Sequence, residues 1–394
     1  MNHDTNTRGM PAPDSAASGA APAVAAYRPG RSLYFASPET ALLADGPRAA
    51  LAGRTPAQEA AEALRLAREL GVADPVVVGA VPFDTRRPAA LWVAAGVRRG
   101  PRGGAAEPRR PAAGRARLEA TPAPERYLEA VWRALHRIRR GELQKIVLAR
   151  ALEVTLPEAP DLQAVLANLQ AADAQAYTYA IDIPPALGGG VLLGASPELL
   201  VERRGRRVRL HPLAGSRPRS ADPQRDAAMA EALLASDKDR REHALVVEAI
   251  AAVLEPLCTR LEVPDRPSLS RTAALWHLGT FIEGELAEPA PSSLELALRL
   301  HPTPAVCGTP RAAARALIGE LEGMDRGLFA GLVGWCDASG DGQWAVTIRC
   351  ARAEGRRLQL YAGAGVVAGS DPQQELAETA AKFRTLLDAL GVET

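Results

Sequence analysis

Three lysines stand out in a chain whose basic residues are otherwise arginines. Of the 47 Lys+Arg residues, only Lys145, Lys238 and Lys382 are lysine. Arginine stays protonated at any working pH, whereas a buried lysine can lose its proton and act as a base. Lys145 lies near the start of QKIVLAR (Gln144–Arg150), whose apolar, β-branched centre predicts a short buried strand. Lys145 is therefore a candidate general base, and the alternative is an ordinary lysine at a strand end.

A second candidate for proton transfer is Glu198, in the segment GASPELL. It is predicted to lie in a tight turn between two apolar strands, 191–195 and 199–202. Partial desolvation in such a turn raises a carboxyl pKa and favours a general acid. Lys145 and Glu198 would then form a base and acid pair, and the alternative for Glu198 is a solvated turn.

Two predicted helices carry paired carboxylates. Glu375, Glu378 and Lys382 share one face of the last helix because their spacings are three, four and seven residues. Asp239 and Glu242 share a face of an earlier helix in the same way. Two such pairs would give an all-oxygen site, which suits Mg²⁺. The alternative is two solvated, charged helix surfaces.

Several further segments are candidates for binding an anionic ligand. The small-residue stretches 213–216 and 362–365 are predicted turns that would bring backbone N–H groups close to a carboxylate. Arg349 lies in the predicted strand 345–352, where burial would require a partner such as a ligand carboxylate. The Pro-rich turn 301–308 would lie beside them. Ordinary turns and a solvent-facing arginine are the alternatives.

The elements that must position these residues alternate irregularly along the chain. This pattern predicts an α+β fold of mixed β-sheets packed with helices rather than a doubly wound parallel sheet. The predicted strands cover 32–36, 75–80, 90–93, 144–150, 176–181, 191–195, 199–202, 333–336, 345–352, 358–362 and 365–367. The predicted helices cover 56–70, 125–140, 162–171, 222–254 with a break near Ser236, and 372–390. Residues 1–30 are predicted to be a disordered leader, and 101–117 an exposed linker or long loop.

Composition limits the classes of function. The 394 residues are 47% hydrophobic and 24% charged with a net charge of +1, which gives no overall field for nucleic acid or an anionic membrane. No apolar run reaches the roughly 18–20 residues of a membrane span. The four cysteines lack metal-binding spacing, so free thiols in the reducing cytoplasm are expected.

From about residue 125 to the end, the ordered motifs resemble those of the chorismate-utilising enzymes, which include anthranilate, aminodeoxychorismate, salicylate and isochorismate synthases. The motifs are QKIVLAR, GASPELL, PLAGS, ASDKDRREH, LWHLGT, HPTPAVCG, VGWCD, TIRCA, AGAG and ELAETAAKF. The resemblance implies one large chorismate-binding domain over 31–394, similar to anthranilate synthase component I. Residues 31–120 would be its variable part and 121–394 its motif-bearing core.

Within that family, Lys145, Leu213–Ser216 and Phe329 resemble the isochorismate synthases of the siderophore type. The segments Arg217–Arg219 and Gly279–Phe281 depart from that pattern. The resemblance implies Mg²⁺-dependent, reversible conversion of chorismate to isochorismate, in which water adds at C2 and the C4 hydroxyl leaves. Salicylate synthase, an ammonia-using synthase subunit and a non-catalytic scaffold of the same fold are the alternatives.

The resemblance also implies a role for each candidate residue. Lys145 would be the base and Glu198 the acid. Mg²⁺ would be held by Glu242 and Glu378, with its waters on Asp239 and Glu375. The substrate would be bound by Gly215, Ser216, Ala305, Phe329, Arg349, Gly363 and Lys382. We expect a monomer that acts on chorismate, without a nucleic acid, membrane or glutamine amidotransferase partner.

Overall fold

The structure is a computed structural model that describes residues 23–51, 55–103 and 115–392. The helices are α1 (Ala23–Ala26), α2 (Pro56–Glu69), α3 (Pro124–Arg139), α4 (Leu162–Ala172), α5 (Pro223–Ala235), α6 (Asp237–Leu254), α7 (Ser293–Leu300), α8 (Arg311–Leu321) and α9 (Pro372–Leu390). The first ten strands are β1 (Ser32–Ala36), β2 (Thr40–Leu51), β3 (Val76–Val81), β4 (Ala90–Pro101), β5 (Arg117–Thr121), β6 (Lys145–Thr155), β7 (Tyr177–Asp182), β8 (Val191–Ser196), β9 (Leu199–Arg204) and β10 (Arg207–His211). The remaining strands are β11 (Leu213–Pro218), β12 (Cys258–Glu262), β13 (Ser268–Arg271), β14 (Leu275–Gly279), β15 (Ile282–Leu286), β16 (Gly308–Thr309), β17 (Leu332–Asp337), β18 (Gly342–Val346), β19 (Cys350–Glu354) and β20 (Arg357–Val367).

One large antiparallel sheet organises the molecule. Its strands pair in the order β5, β6, β20, β19, β8, β7, β1, β2, β4, β3, β17, β18, β9, β10, β15 and β12, and β16 adds to the edge of β6. The strands β1, β2 and β4 join its two halves. A smaller sheet consists of β13, β14 and β11. The α+β class is confirmed.

Two apolar cores hold these layers together. The larger core includes residues from both halves of the sheet and from α6, among them Leu148, Val246 and Trp344. The second core packs the β6–β20–β19–β8–β7 half against α4 and α9, with Leu166 and Leu387 among its members. The hydrophobic effect therefore holds α6 and α9 against the sheet that contains β6.

The two acidic helices begin with side-chain caps. The hydroxyl of Ser236 accepts a hydrogen bond from the backbone N–H of Asp239, so the predicted break near Ser236 is confirmed. Asp371 caps α9 in the same way, through the N–H of Gln374. Helix α6 packs on β11 and helix α9 packs on β20. None of the helices in the described ranges is long and apolar enough to cross a membrane.

Two predicted boundaries are corrected by the structure. Within the predicted leader, residues 23–26 form α1, and Val24 and Tyr27 are buried in the second core, whereas residues 1–22 lie outside the described residues. At the start of the predicted linker, Arg102 is buried and donates to the carbonyl oxygens of Ala174 and Ala176. Residues 104–114 of that linker lie outside the described residues.

Two further corrections concern the end of the chain. The predicted turn 362–365 lies inside the continuous strand β20. The predicted strand 345–352 is divided between β18 and β19, and Arg349 lies between them with a φ of 51°. The chain crosses here from one half of the sheet to the other, because β18 pairs with β17 and β9 whereas β19 pairs with β8 and β20.

Candidate active site

The predicted base lies at the first residue of β6 and is completely buried. Its Nζ lies 3.0 Å from Oε1 of Glu242 on α6, in an ion pair that lacks hydrogen-bond alignment. The two side chains meet beneath Gly365 of β20. A Cβ at Gly365 would lie 2.1 Å from that Oε1 and 3.3 Å from Cε of Lys145. The missing side chain of Gly365 therefore makes room for the Lys145–Glu242 pair.

The predicted acid, Glu198, is buried between β8 and β9. Burial raises the pKa of its carboxyl to about 8, against the opposing charge of Lys145 and a backbone hydrogen bond from Leu213. Arg349 and Lys382 oppose the shift more weakly. The carboxyl is therefore largely protonated at neutral pH and can donate a proton. Its burial, and its position within electrostatic reach of Lys145, agree with the sequence-based expectation.

Each of the three lysines pairs with a predicted metal-binding carboxylate. Besides the Lys145 pair, Lys238 Nζ lies 3.1 Å from Glu375 Oε1, and Lys382 Nζ lies 2.6 Å from Glu378 Oε1. Lys382 also donates to the carbonyl oxygen of Gly363. In the described part of the chain, no group of three or more His, Cys, Asp or Glu side chains is arranged to hold a metal.

The carboxylates nevertheless suit a hard cation in their chemistry. Burial and the neighbouring charge of Glu378 raise the pKa of Glu375 to about 7, although Lys238 opposes the shift. Burial also raises the pKa of Glu378, but the charge and hydrogen bond of Lys382, together with Ser216 and Lys238, outweigh burial and the net shift is downward. Repulsion among buried carboxylates would be relieved by a divalent cation with oxygen ligands. The carboxylates would have to turn from their lysines to share one ion.

Arg349 provides a buried positive charge on the other side of the site. Burial lowers its pKa to about 10, while Glu378 and Glu198 oppose the shift, so the guanidinium remains charged at neutral pH. Among the described residues, its side chain takes part in none of the ion pairs within 4 Å, which leaves it available for an anionic ligand.

These groups surround one cavity of about 70 Å³. Ten predicted residues line it: Glu198, Gly215, Ser216, Glu242, Ala305, Phe329, Arg349, Gly363, Glu378 and Lys382. Lys145, Asp239 and Glu375 lie behind this wall rather than in it. The volume is well below the roughly 300 Å³ of a typical small-molecule pocket. A ligand larger than a few waters therefore enters only if side chains in the wall move.

Comparison with known proteins agrees with this geometry. The family model described as "Chorismate binding enzyme" matches residues 102–391. The chain belongs to the chorismate-binding enzymes. It is 50% identical over 384 residues to isochorismate synthase DhbC of Bacillus subtilis, covering 93% of this chain and 95% of that protein. It is 40% identical over 338 residues to isochorismate synthase EntC of Escherichia coli, covering 83% of this chain and 84% of the relative.

A crystal structure of DhbC from Bacillus anthracis shares the fold with a TM-score of 0.90 and 45% identity. The alignment covers 94% of this chain and 99% of that chain. The family predicted from the motifs is therefore confirmed, and so is the fold of the chorismate-binding enzymes.

Sequence reasoning missed several residues that line the cavity of this chorismate-binding enzyme. His277 is buried on β14, and burial together with the charges of Arg349 and Lys382 lowers its pKa well below the usual range. It is therefore neutral near pH 7. Tyr361 stacks on the predicted Phe329 with ring centroids 5.0 Å apart. The motif LWHLGT was the available signal for His277, whereas Tyr361 lies in none of the motifs.

Proposed function

We propose that this protein is an isochorismate synthase that converts chorismate reversibly to isochorismate. The names of the relatives DhbC and EntC support this activity. The observation that carries the proposal is a fully buried Lys145 within electrostatic reach of a buried Glu198, whose carboxyl pKa is raised to about 8. An isomerisation that adds water at one carbon and removes hydroxide from another needs such a base and acid.

In the proposed mechanism, the neutral amine of Lys145 takes a proton from the water that attacks C2 of the ring. Protonated Glu198 gives its proton to the C4 hydroxyl, which leaves as water. The substrate gains and loses one hydroxyl, so its composition does not change. Both groups exchange roles in the reverse direction. A positioned acid or base contributes roughly 10²–10⁴-fold to the rate.

The remaining residues hold the substrate for this exchange. The guanidinium of Arg349 binds the enolpyruvyl carboxylate, beside the backbone of Gly363. Ser216 and Ala305 line the pocket around the ring. Because Glu242 covers Lys145 in the structure, this carboxylate must turn aside before the amine reaches a water in the cavity.

We further propose Mg²⁺ as the cofactor. Glu242 and Glu378 would hold the ion, and Asp239 and Glu375 would hold its waters. When bound, Mg²⁺ would supply positive charge for the ring carboxylate of chorismate. The oxygen-only donor set and the raised pKa of Glu375 support this assignment.

Incubation of the purified protein with chorismate and Mg²⁺, followed by chromatography of the products, tests the activity. We expect isochorismate without pyruvate. Salicylate with stoichiometric pyruvate would instead assign the protein to the salicylate synthases. Absence of turnover, with or without ammonia, would contradict the catalytic proposal. The resemblance to siderophore-type enzymes further suggests that the product feeds 2,3-dihydroxybenzoate or salicylate siderophore synthesis.

A further inference from the structure

A buried ion pair outside the proposed acid–base machinery lies against the same cavity. Arg326 and Glu322 are both about 97% buried in their side chains. The Nε of Arg326 donates to Glu322 Oε2 at 2.9 Å, and its Nη2 donates to Oε1. Such a fork is geometrically specific and holds both side chains in one orientation. Within the described part of the chain, the pair shares no hydrogen bond or ion pair with the carboxylates proposed to bind the metal.

The pair occupies a gap on one edge of β6. Strand β16 pairs with Lys145 and Ile146, and β5 pairs with β6 only from Ala151 onwards. Between these segments, the N–H of Ala149 donates to Glu322 Oε1 at 2.7 Å. The carbonyl oxygen of Val147 accepts from Arg326 Nη2 at 2.8 Å. The two side chains thus satisfy buried backbone groups that a neighbouring strand would otherwise satisfy.

Arg326 also reaches two other parts of the cavity wall. Its Nη1 donates to the carbonyl oxygen of Val306 at 2.7 Å, and Val306 follows the predicted substrate contact Ala305. Its guanidinium carbon lies 4.5 Å from the ring centroid of Phe83 and 5.8 Å from that of Phe329. Val147, Val306, Phe329 and Arg326 all line the cavity. One guanidinium therefore joins the base-bearing strand to the opposing wall.

We propose that the Glu322–Arg326 pair is a positioning device that fixes β6, and with it Lys145, relative to the substrate wall at Val306 and Phe329. The inference rests on the proposed isochorismate synthase activity. Lys145, Val147 and Ala149 alternate along β6 and face the same side of the sheet, so a shift at Val147 displaces Lys145 as well. Neither Glu322 nor Arg326 transfers a proton in this scheme. A misplacement of about 1 Å is enough to reduce a rate by about 10²-fold.

The test removes the guanidinium of Arg326 by mutation and then supplies free guanidinium ion in solution. Arg326→Ala is expected to lower kcat by about 10²-fold with a smaller change in KM. Because Arg326 lines the cavity, added guanidinium chloride at millimolar concentration should enter the space and restore a large part of kcat. Arg203→Ala is the matched control. Arg203 is a buried arginine that donates to the Ser339 carbonyl and does not line this cavity. The Arg203→Ala variant should be less stable than the wild type, but its kcat should be unchanged and should not respond to added guanidinium.

Unchanged kcat in folded Arg326→Ala, or a loss that guanidinium does not restore, would overturn the positioning role. If that variant does not fold, Glu322→Gln provides the second test, because its amide oxygen can still accept from Ala149 while the charge is lost. It should lower kcat with a smaller change in KM, and wild-type kcat in Glu322→Gln would overturn the proposal.

Failure of the proposed function can be distinguished from failure of the positioning role, because in the first case the wild-type protein itself would show no chorismate isomerisation. Hydrogen exchange at Ala149 tests the pair independently of any activity. Exchange there should be faster in Arg326→Ala than in both the wild type and Arg203→Ala, and equal exchange in all three would contradict the inference.

Discussion

Gly365→Ala tests the proposed site directly, because it adds a single methyl group beside Glu242 and Lys145. Gly365 lies near the end of β20, opposite Val147 of β6, and its φ is outside the left-handed region, so alanine fits its backbone. The added Cβ would lie 2.1 Å from Glu242 Oε1, whereas ordinary van der Waals contact begins at 3.4 Å. The carboxylate of Glu242 must therefore move by about 1.3 Å. The same Cβ would press on Cε of Lys145 at 3.3 Å.

We expect Gly365→Ala to lower kcat more than it lowers the stability of the fold. Both affected groups are the ends of flexible side chains, and alanine is favoured over glycine inside a strand by roughly 0.5–1 kcal/mol. We therefore expect the free energy of unfolding to change by less than about 2 kcal/mol. A displacement above 1 Å at the base and at a proposed metal ligand should lower kcat by about 10²-fold or more.

The assay measures kcat for chorismate, the Mg²⁺ concentration at half-maximal rate, and urea unfolding of the same preparations. Gly100→Ala on β4 is the matched control, because a Cβ there meets no atom within 4 Å. It should behave as the wild type in all three measurements. Wild-type kcat and Mg²⁺ dependence in Gly365→Ala would refute the role of the Lys145–Glu242 arrangement. Equal losses in both variants would refute the steric argument.

Three further outcomes follow from the site. Because the carboxyl pKa of Glu198 is raised to about 8, its contribution to stability is complete below the ordinary value of 4.5 and is lost as the pH rises to about 8. In urea unfolding, the free energy of unfolding of the wild type should therefore fall relative to that of Glu198→Gln over that pH range. Equal pH dependence in the two proteins would contradict the burial argument. Mg²⁺ at 100 times its dissociation constant should stabilise the protein by about 2.7 kcal/mol, reversibly with EDTA, and Glu242→Gln should reduce the effect. Arg349→Asn, which tolerates the positive φ, should raise KM for chorismate about 10²-fold through loss of charged hydrogen bonds, and an unchanged KM would exclude carboxylate binding there.

Local pattern was enough to predict the elements that carry the chemistry. Strand β6 follows from its β-branched run, and the break at Ser236 follows from the capping residue between α5 and α6. The acidic faces of α6 and α9 follow from helical spacing. Strand β2 was not predicted, because its Ala-Asp-Gly-Pro centre has neither alternation nor β-branched residues.

The pairings inside the site depend on distant parts of the chain. Lys238 and Glu375 are 137 residues apart, and nothing local to either residue indicates the contact. The segment 346–349 has the composition of a strand interior, yet tertiary structure requires Arg349 to adopt a left-handed conformation where the chain changes half-sheets. Glu322 and Arg326 have the spacing of a solvated helical ion pair, and only the uncovered edge of β6 makes them buried.

The three ion pairs give a physical reason why lysine is kept at these few positions of an arginine-rich chain. An ammonium is a compact charge with three donors, whereas a guanidinium has five donors in a rigid fork that buried surroundings must satisfy. At position 238, where the side chain is 30% exposed, the additional N–H donors of an arginine could reach water. At position 145, where the side chain is 0% exposed, they could not. Lys145→Arg should therefore abolish turnover through loss of the base and poor accommodation, whereas Lys238→Arg should retain most of it. Near-wild-type kcat in Lys145→Arg would show that position 145 requires only positive charge and would refute the assignment of Lys145 as the base.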